Sequence, residues 1–374
     1  MLPQHDDRRR TRHGMTPIPA ANDDSAGTDK AGYQVVAGSR EDDRSTLIGL
    51  WANGLAEGRT AQARLEWRYL RHPEGMPRCF LLCRKGSMQP VGAAAIERRR
   101  MRFGSESVCA GNVIDFVVEP KHRSLFPAVS LQREVLQRAR GEYAVIFGTP
   151  AERARAVVRR AGYLCVGPMV RMVRPLRWSA LLSRFVPGWL GRILGPVIDH
   201  ALLATASMHG LFNRGYRWEW RARPDADFDG LWQRIEMPRT LVGVRDRAFL
   251  EWRFAGSPFH AHRFFALLSK DDGRLVAYAA CHAEGDALHV DDFLADPAVP
   301  GAGRRLWLDL SREAYREGHR SLSVEFLGAG RFRREMDALG MVRRDEWPLY
   351  AAFEGRPELS SPSGWYITGA DRDV

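Results

Sequence analysis

The sequence predicts an α/β (α+β) fold made of two similar domains in tandem, each a mixed, mostly antiparallel sheet flanked by helices. Three observations carry this. Leu65-Glu66-Trp67-Arg68-Tyr69 with Pro73 reappears as Leu250-Glu251-Trp252-Arg253-Phe254 with Pro258. Each copy is followed by the same order of apolar runs, turns and helical patterns. In the first copy the run from Asn112 to Leu131 reads as a buried strand, a proline stop and a turn feeding straight into a helix.

The elements follow in order. Residues 1–32 are polar and charged and hold no apolar signal run, so a disordered leader is expected. Order begins with the strand YQVVAG at Tyr33, then a helix from Asp42 or Asp43 through Leu47, Leu50 and Trp51. After the first Trp-Arg motif come the strands CFLLCRK and PVGAAAIE, the acid-bearing strand VIDFVV with Asp115, and the helix AVSLQREVLQRAR. The strand YAVIFG, a helix ending at Gly162, and the strand LCVGPMVRMV complete the copy. The second copy repeats the series as RFFALLSK, LVAYAACHA, HVDDFL with Asp292, RRLWLDLSREAYREG, SLSVEFLG, a helix ending at Gly340, and RDEWPLYAAF. A repeat of about 180 residues is far longer than a solenoid unit and means two domains. Their expected bounds are 33–175 and 214–356, with a tail at 357–374 expected to order against the second domain through Trp365 and Tyr366.

Between the copies, residues 176–213 are rich in Leu, Ile, Val and Trp but are interrupted by Arg184, Arg192, Asp199, Pro187 and Pro196. No uncharged run approaches the ~20 residues that span a bilayer. Two or three short amphipathic helices bridging the domains are expected. The other reading is an interfacial segment with Trp178 and Trp189 at headgroup depth, giving peripheral membrane contact.

The net charge of +11 rests almost wholly on arginine, lysine occurring only at 30, 85, 121 and 270. It favours acidic ligands. No basic helix or zinc knuckle points to nucleic acid. Five cysteines without CxxC spacing point to neither a disulfide framework nor a metal, and suit a reducing, cytoplasmic setting. His72, His260 and His262 show no metal-ligand spacing, so no metal is expected.

The turn Arg123-Ser124-Leu125-Phe126-Pro127-Ala128 resembles the (Gln/Arg)-x-x-Gly-x-(Gly/Ala) turn of the GNAT (GCN5-related N-acetyltransferase) superfamily. Arg123 and Ala128 fit the pattern, while Phe126 stands where the family has glycine. Such a turn opens a helix whose first N–H groups and dipole can seat a pyrophosphate. Gly148-Thr149-Pro150 and the helix after it resemble the second motif of that family, and the duplication with the closing WYITGADRD is similar to tandem, polysaccharide-linked and Fem-type bacterial proteins.

The resemblance implies acetyl-CoA or another acyl-CoA as donor, bound by residues 123–128 and the backbone amides of Val117 and Val118, with an amine or hydroxyl acceptor such as an amino sugar or glycan precursor. An amine can attack the thioester directly, so the site needs a proton acceptor, oxyanion donors and a proton for the thiolate. Asp115 and then Glu119 are the candidate acceptor-side carboxylates, and Tyr163 the candidate acid. For each carboxylate a strand-end hydrogen bond is the plainer role, and core burial is the plainer role for Tyr163. The second copy has no comparable turn at Asp296–Arg304, so the first domain is expected to bind CoA. Phe126 keeps a rival reading open, a non-catalytic scaffold of a polysaccharide system. Transfer from aminoacyl-tRNA is a third.

Overall fold

The computed structural model describes residues 32–38, 44–52, 58–177, 215–328 and 330–373. The expected leader and nearly all of the expected connector lie outside the described residues.

The first copy runs β1 (Tyr33–Ala37), α1 (Arg44–Ala52), α2 (Gly58–Arg64), β2 (Arg78–Arg84), β3 (Pro90–Phe103), β4 (Glu106–Val118), α3 (Leu125–Ala139), β5 (Val145–Gly148), α4 (Arg155–Ala161) and β6 (Leu164–Pro175). The second runs β7 (Tyr216–Arg221), α5 (Ala226–Arg234), β8 (Leu241–Gly243), α6 (Arg247–Leu250), β9 (Arg263–Ser269), β10 (Leu275–Glu284), β11 (Ala287–Ala295), α7 (Ala302–Arg316), β12 (Ser321–Leu327), α8 (Gly330–Ala338) and β13 (Val342–Phe353). The tail adds β14 (Trp365–Thr368). Element for element the copies match, except that the second adds β8 and the tail adds β14.

The two copies share one sheet. Its order is β1-β2-β3-β4-β5-β13-β6-β12-β11-β10-β9-β7. The last strand of each copy pairs inside the other: β13 lies on β5, and β6 lies on β12. At the centre β6 and β13 pair antiparallel, Val342 opposite Val173 and Ala351 opposite Leu164. Exchange satisfies the open backbone edge of β5 and of β12 with the partner copy's strand, where an unpaired edge would be a liability.

The repeated tryptophans meet at this pseudo-two-fold. The Trp67 and Trp252 rings stack with centroids 5.2 Å apart. Trp67 Nε1–H donates to the Trp252 carbonyl at 2.8 Å, and Trp252 Nε1–H returns a bond to the Trp67 carbonyl at 3.0 Å. Both lie on wide helical turns closed by i→i+5 bonds, Arg71 N–H to the Glu66 carbonyl and Gly256 N–H to the Glu251 carbonyl. Such π-type turns are rare and cluster at functional places; here they bring the two main chains within reach of the partner indole. Buried Trp usually satisfies its N–H, and this pair does so reciprocally. The sequence motif is thus a joint between the copies.

The core is divided by the sheet. In the first copy α3 and α4 cover one face through Leu131, Val135, Leu136 and Val158, while α1 and α2 cover the other through Leu47, Trp51 and Ala61. The second copy has the larger cluster, including Phe228, Phe264, Tyr278, Trp307 and Phe326. Among the described residues no helix is long and apolar enough to cross a membrane.

Candidate active site

β4 and β5 pair in parallel only from Ala110–Asn112 to Val145–Phe147, then part. The divergence is accompanied by a bulge: Ala93 faces Val117 but Ala95 faces Ile114, which leaves both Asp115 and Phe116 against Ala94, one residue in excess on β4. Asp115 sits at φ 53°, a left-handed conformation that costs a non-glycine residue about 1–3 kcal/mol unless its surroundings hold it. They do. Arg64 Nε–H donates to Asp115 Oδ1 at 2.6 Å, Tyr69 O–H to Oδ2 at 2.6 Å, and the Asp115 N–H donates to Asp373 Oδ2 at 2.9 Å.

The parted strands open a cavity of about 680 Å³. Val117, Val118, Arg123, Ser124, Leu125, Ala128 and Tyr163 all line it, with Gly148–Ala151 on the facing side. Alternate peptide groups of a strand point to opposite edges. Glu119 N–H donates to the Val91 carbonyl, and a side chain at Gly92 would meet the Val117 carbonyl at 2.9 Å. The Val117 carbonyl and the Glu119 N–H therefore face β3, and the N–H and carbonyl of Val118 itself face the cleft. Of the two backbone donors expected, Val118 has the usable orientation.

The turn after β4 is closed by Arg123, whose Nε–H donates to the Val118 carbonyl at 2.7 Å. Ser124 caps α3 without a side-chain bond to its amides. The start of this 15-residue helix thus borders the cavity with its positive dipole end. Phe126 and Pro127 do not line the cavity. Phe126 is 48% exposed, so its ring leaves the turn rather than crowding it, and Pro127 occupies a first-turn position that needs no donor.

The candidate acids are arranged differently from one another. Asp115 is buried behind Arg64 and Tyr69 and does not reach the cavity lining. Burial pushes its carboxyl up against the pull of Arg64. Glu119 is half-buried and also off the lining. Tyr163 is buried on the cavity wall; its hydroxyl donates to Gln132 Oε1 at 3.2 Å, and burial pushes the phenol well up.

Residues not singled out from the sequence complete the wall. Arg64, Trp347, Tyr350, Arg372 and Asp373 line the same cavity. Trp347 and Tyr350 arrive on the exchanged strand β13. Asp373 comes from the tail and binds Arg64 and, at 2.9 Å, Arg68 Nη1. Behind them Arg68 Nε–H donates to Glu97 at 2.7 Å. Burial opposes the charge on Glu97, but Arg68 outweighs it and holds the carboxyl down at about 2. The only advance sign of these contributors was the repeat itself and the aromatic tail.

The corresponding opening of the second copy is filled. β11 and β12 pair from Ala287–Val290 to Ser321–Val324. One edge of β12 is taken by β6 as far as Phe326, so β14, which pairs at Phe326–Leu327, lies on the β11 side. Tyr366 puts its hydroxyl on the Phe293 carbonyl and its ring against Phe293 and Phe332. Asp292, the counterpart of Asp115, is held by Arg245 at 3.1 Å, Tyr278 at 2.5 Å and Thr368 at 2.6 Å. Thr368 belongs to the filling strand.

No protein-family model matches the chain, and no curated protein matches its sequence. Solved structures do. A GCN5-related N-acetyltransferase from Anabaena variabilis ATCC 29413 superposes with a TM-score of 0.58 at 13% identity, over 85% of this chain and 72% of that one. One from Kribbella flavida gives 0.56 at 17% identity, over 87% and 72%. A tandem GNAT protein from the clavulanic acid biosynthesis pathway gives 0.50 at 14% identity, over 86% and 98%. The fold of this chain is the GCN5-related N-acetyltransferase fold, in tandem.

Proposed function

We propose that the protein is an acyltransferase that moves an acetyl or similar acyl group from acyl-CoA to an amine or hydroxyl, with the donor in the first copy. The observation that carries this is the open cleft between β4 and β5, which meets the start of α3 on one side and an outward-turned Val118 peptide group on the other. The pyrophosphate would lie on the amide end of α3 beside Arg123 and Ser124. The thioester carbonyl would take the Val118 N–H. As the acceptor nitrogen attacks, the C–N bond forms and the nitrogen gives up a proton, while the C–S bond breaks and the thiolate takes one up. Tyr163, kept protonated by burial, supplies a hydroxyl on the cavity wall. Asp115 acts through Arg64 and Tyr69 as a positioning residue, and Asp373 is the carboxylate on the wall itself. The acceptor class suggested by the sequence resemblance is an amino sugar or glycan precursor. In this reading the second copy is scaffold.

Acetyl-CoA titrated calorimetrically should bind the wild type at micromolar concentration. Ala128→Glu, which puts bulk and negative charge at the start of α3, should abolish it. A wild type silent up to millimolar acetyl-CoA would overturn the proposal. Release of free thiol, followed over a panel of amines and amino sugars, would then identify the acceptor.

A further inference from the structure

Four histidines and one aspartate converge on the outer strands of the second copy. His262 stands immediately before β9, His282 lies on β10 opposite His289 of β11, and Asp291 follows on β11. His262 Nε2 is 2.8 Å and His282 Nδ1 is 2.5 Å from the same Asp291 oxygen, Oδ2. The His260 and His289 rings stack on the two sides of His282, with centroids 4.1 and 5.1 Å away.

The hydrogen bonding of His262 makes this more than an ion pair. Its Nδ1 lies 3.1 Å from the His260 carbonyl, which can only accept, so Nδ1 carries a proton. A neutral His262 then turns the Nε2 lone pair straight at a carboxylate oxygen. Either a second proton lies between them, or the two atoms, 2.8 Å apart, open to admit a cation at the ~2.0 Å from each donor that zinc keeps. A ring N–H given to a backbone carbonyl is also the device that fixes the tautomer and aim of a metal-binding histidine. His262 and His282 have side chains only 5% and 8% exposed, while Asp291 at 29% keeps the group reachable from solvent.

We propose that His262, His282 and Asp291 bind one divalent transition-metal ion of the zinc class, with a fourth position open to water. The ligand atoms lie within 4.8 Å of one another, as three donors around a single ion must. Two imidazoles and a carboxylate are a donor set that zinc accepts.

None of these residues lines the first-copy cavity, so the site is separate from the proposed acyl-transfer chemistry. Its place suggests a staple. It would tie the start of β9 to β10 and β11, and the Asp291 main chain is the surface on which Gly369 of the tail rests, a side chain there coming within 2.8 Å of the Asp291 carbonyl.

The test uses tag-free, full-length protein stripped with a chelator and titrated with Zn²⁺ against a chromophoric competitor. Wild type should take up zinc saturably, and His262→Ala and Asp291→Asn should each weaken the tight site at least about tenfold. His319→Ala, outside the cluster, should leave it unchanged. Should the variants fail to fold, X-ray absorption of wild-type protein with one equivalent of zinc should show imidazole scattering and ligands at about 2.0–2.2 Å. Absence of saturable zinc binding by wild type, or wild-type affinity in folded His262→Ala, would overturn the proposal. So would a zinc spectrum without imidazole.

Discussion

The two copies begin from the same architecture and end with different clefts. In each, an acid-bearing strand bulges and parts from its parallel neighbour, and the acid is gripped by an arginine and a tyrosine. In the first copy the gap stays open as a cavity, and its acid network reaches the wall through Arg64 and Asp373. In the second, β14 occupies the gap and Thr368 completes the network around Asp292. Duplication therefore yields one cleft able to hold a ligand and one turned into structure by the chain's own tail. The same tail then runs on to place Asp373 in the open cleft, so the filled site helps to build the open one.

The largest loss is expected at Arg245. It is fully buried between Asp292 and Asp371, and Arg245→Met would strand two buried carboxylates, at about 3–5 kcal/mol by denaturant unfolding. Arg64→Met should be milder, because its partner Asp373 is 26% exposed and can turn to water. An equal loss in both variants would argue that the two networks are equally closed.

Next is Trp365→Ala, expected to cost about 3–5 kcal/mol. The indole is fully buried, and its N–H bonds the Leu359 carbonyl at 2.8 Å. A loss under 1 kcal/mol, as an exposed site would give, would mean that β14 does not fill the second cleft.

Acid should act on the joint behind the open cleft. Glu97 titrates at about 2 when folded against an ordinary value of 4.5. The unfolded chain therefore takes up the proton first as pH falls. The stabilisation is complete above the ordinary value and is lost between about 4.5 and 2, amounting to about 3 kcal/mol. Glu97→Gln should flatten the stability profile over that window; an unchanged slope would remove Glu97 as its source. Smallest of all, Phe126→Ala should change stability by no more than about 0.5 kcal/mol, since the ring is half-exposed.

Much of this was legible in the sequence because local signals repeat. The Trp-Arg motif, the glycine-ended helices and the acid in the fourth strand each report on their own neighbourhood, and the duplication made them read twice. The turn at 123–128 has no counterpart in the second copy and was legible from its own strand, proline stop and helix start, while the outward course of the Phe126 ring needed the structure. Strand exchange was not legible. LCVGPMVRMV and RDEWPLYAAF have the same composition whichever copy they pair with, and their partners are distant in sequence. Asp373 and the histidine cluster were hidden likewise, since nothing in the spacing of 262, 282 and 291 reveals a bulge in β11 that turns Asp291 toward both histidines. Asp115 marks the limit of residue-type reasoning: an acid in the right strand proved to hold its neighbours from behind the wall.

One cleft is open and the other filled. Equilibrium dialysis of labelled acetyl-CoA against the full-length protein counts bound molecules per chain directly. One per chain is expected, falling to none in Ala128→Glu. Two per chain, or one that survives Ala128→Glu, would contradict it by placing donor in the cleft that β14 is said to fill.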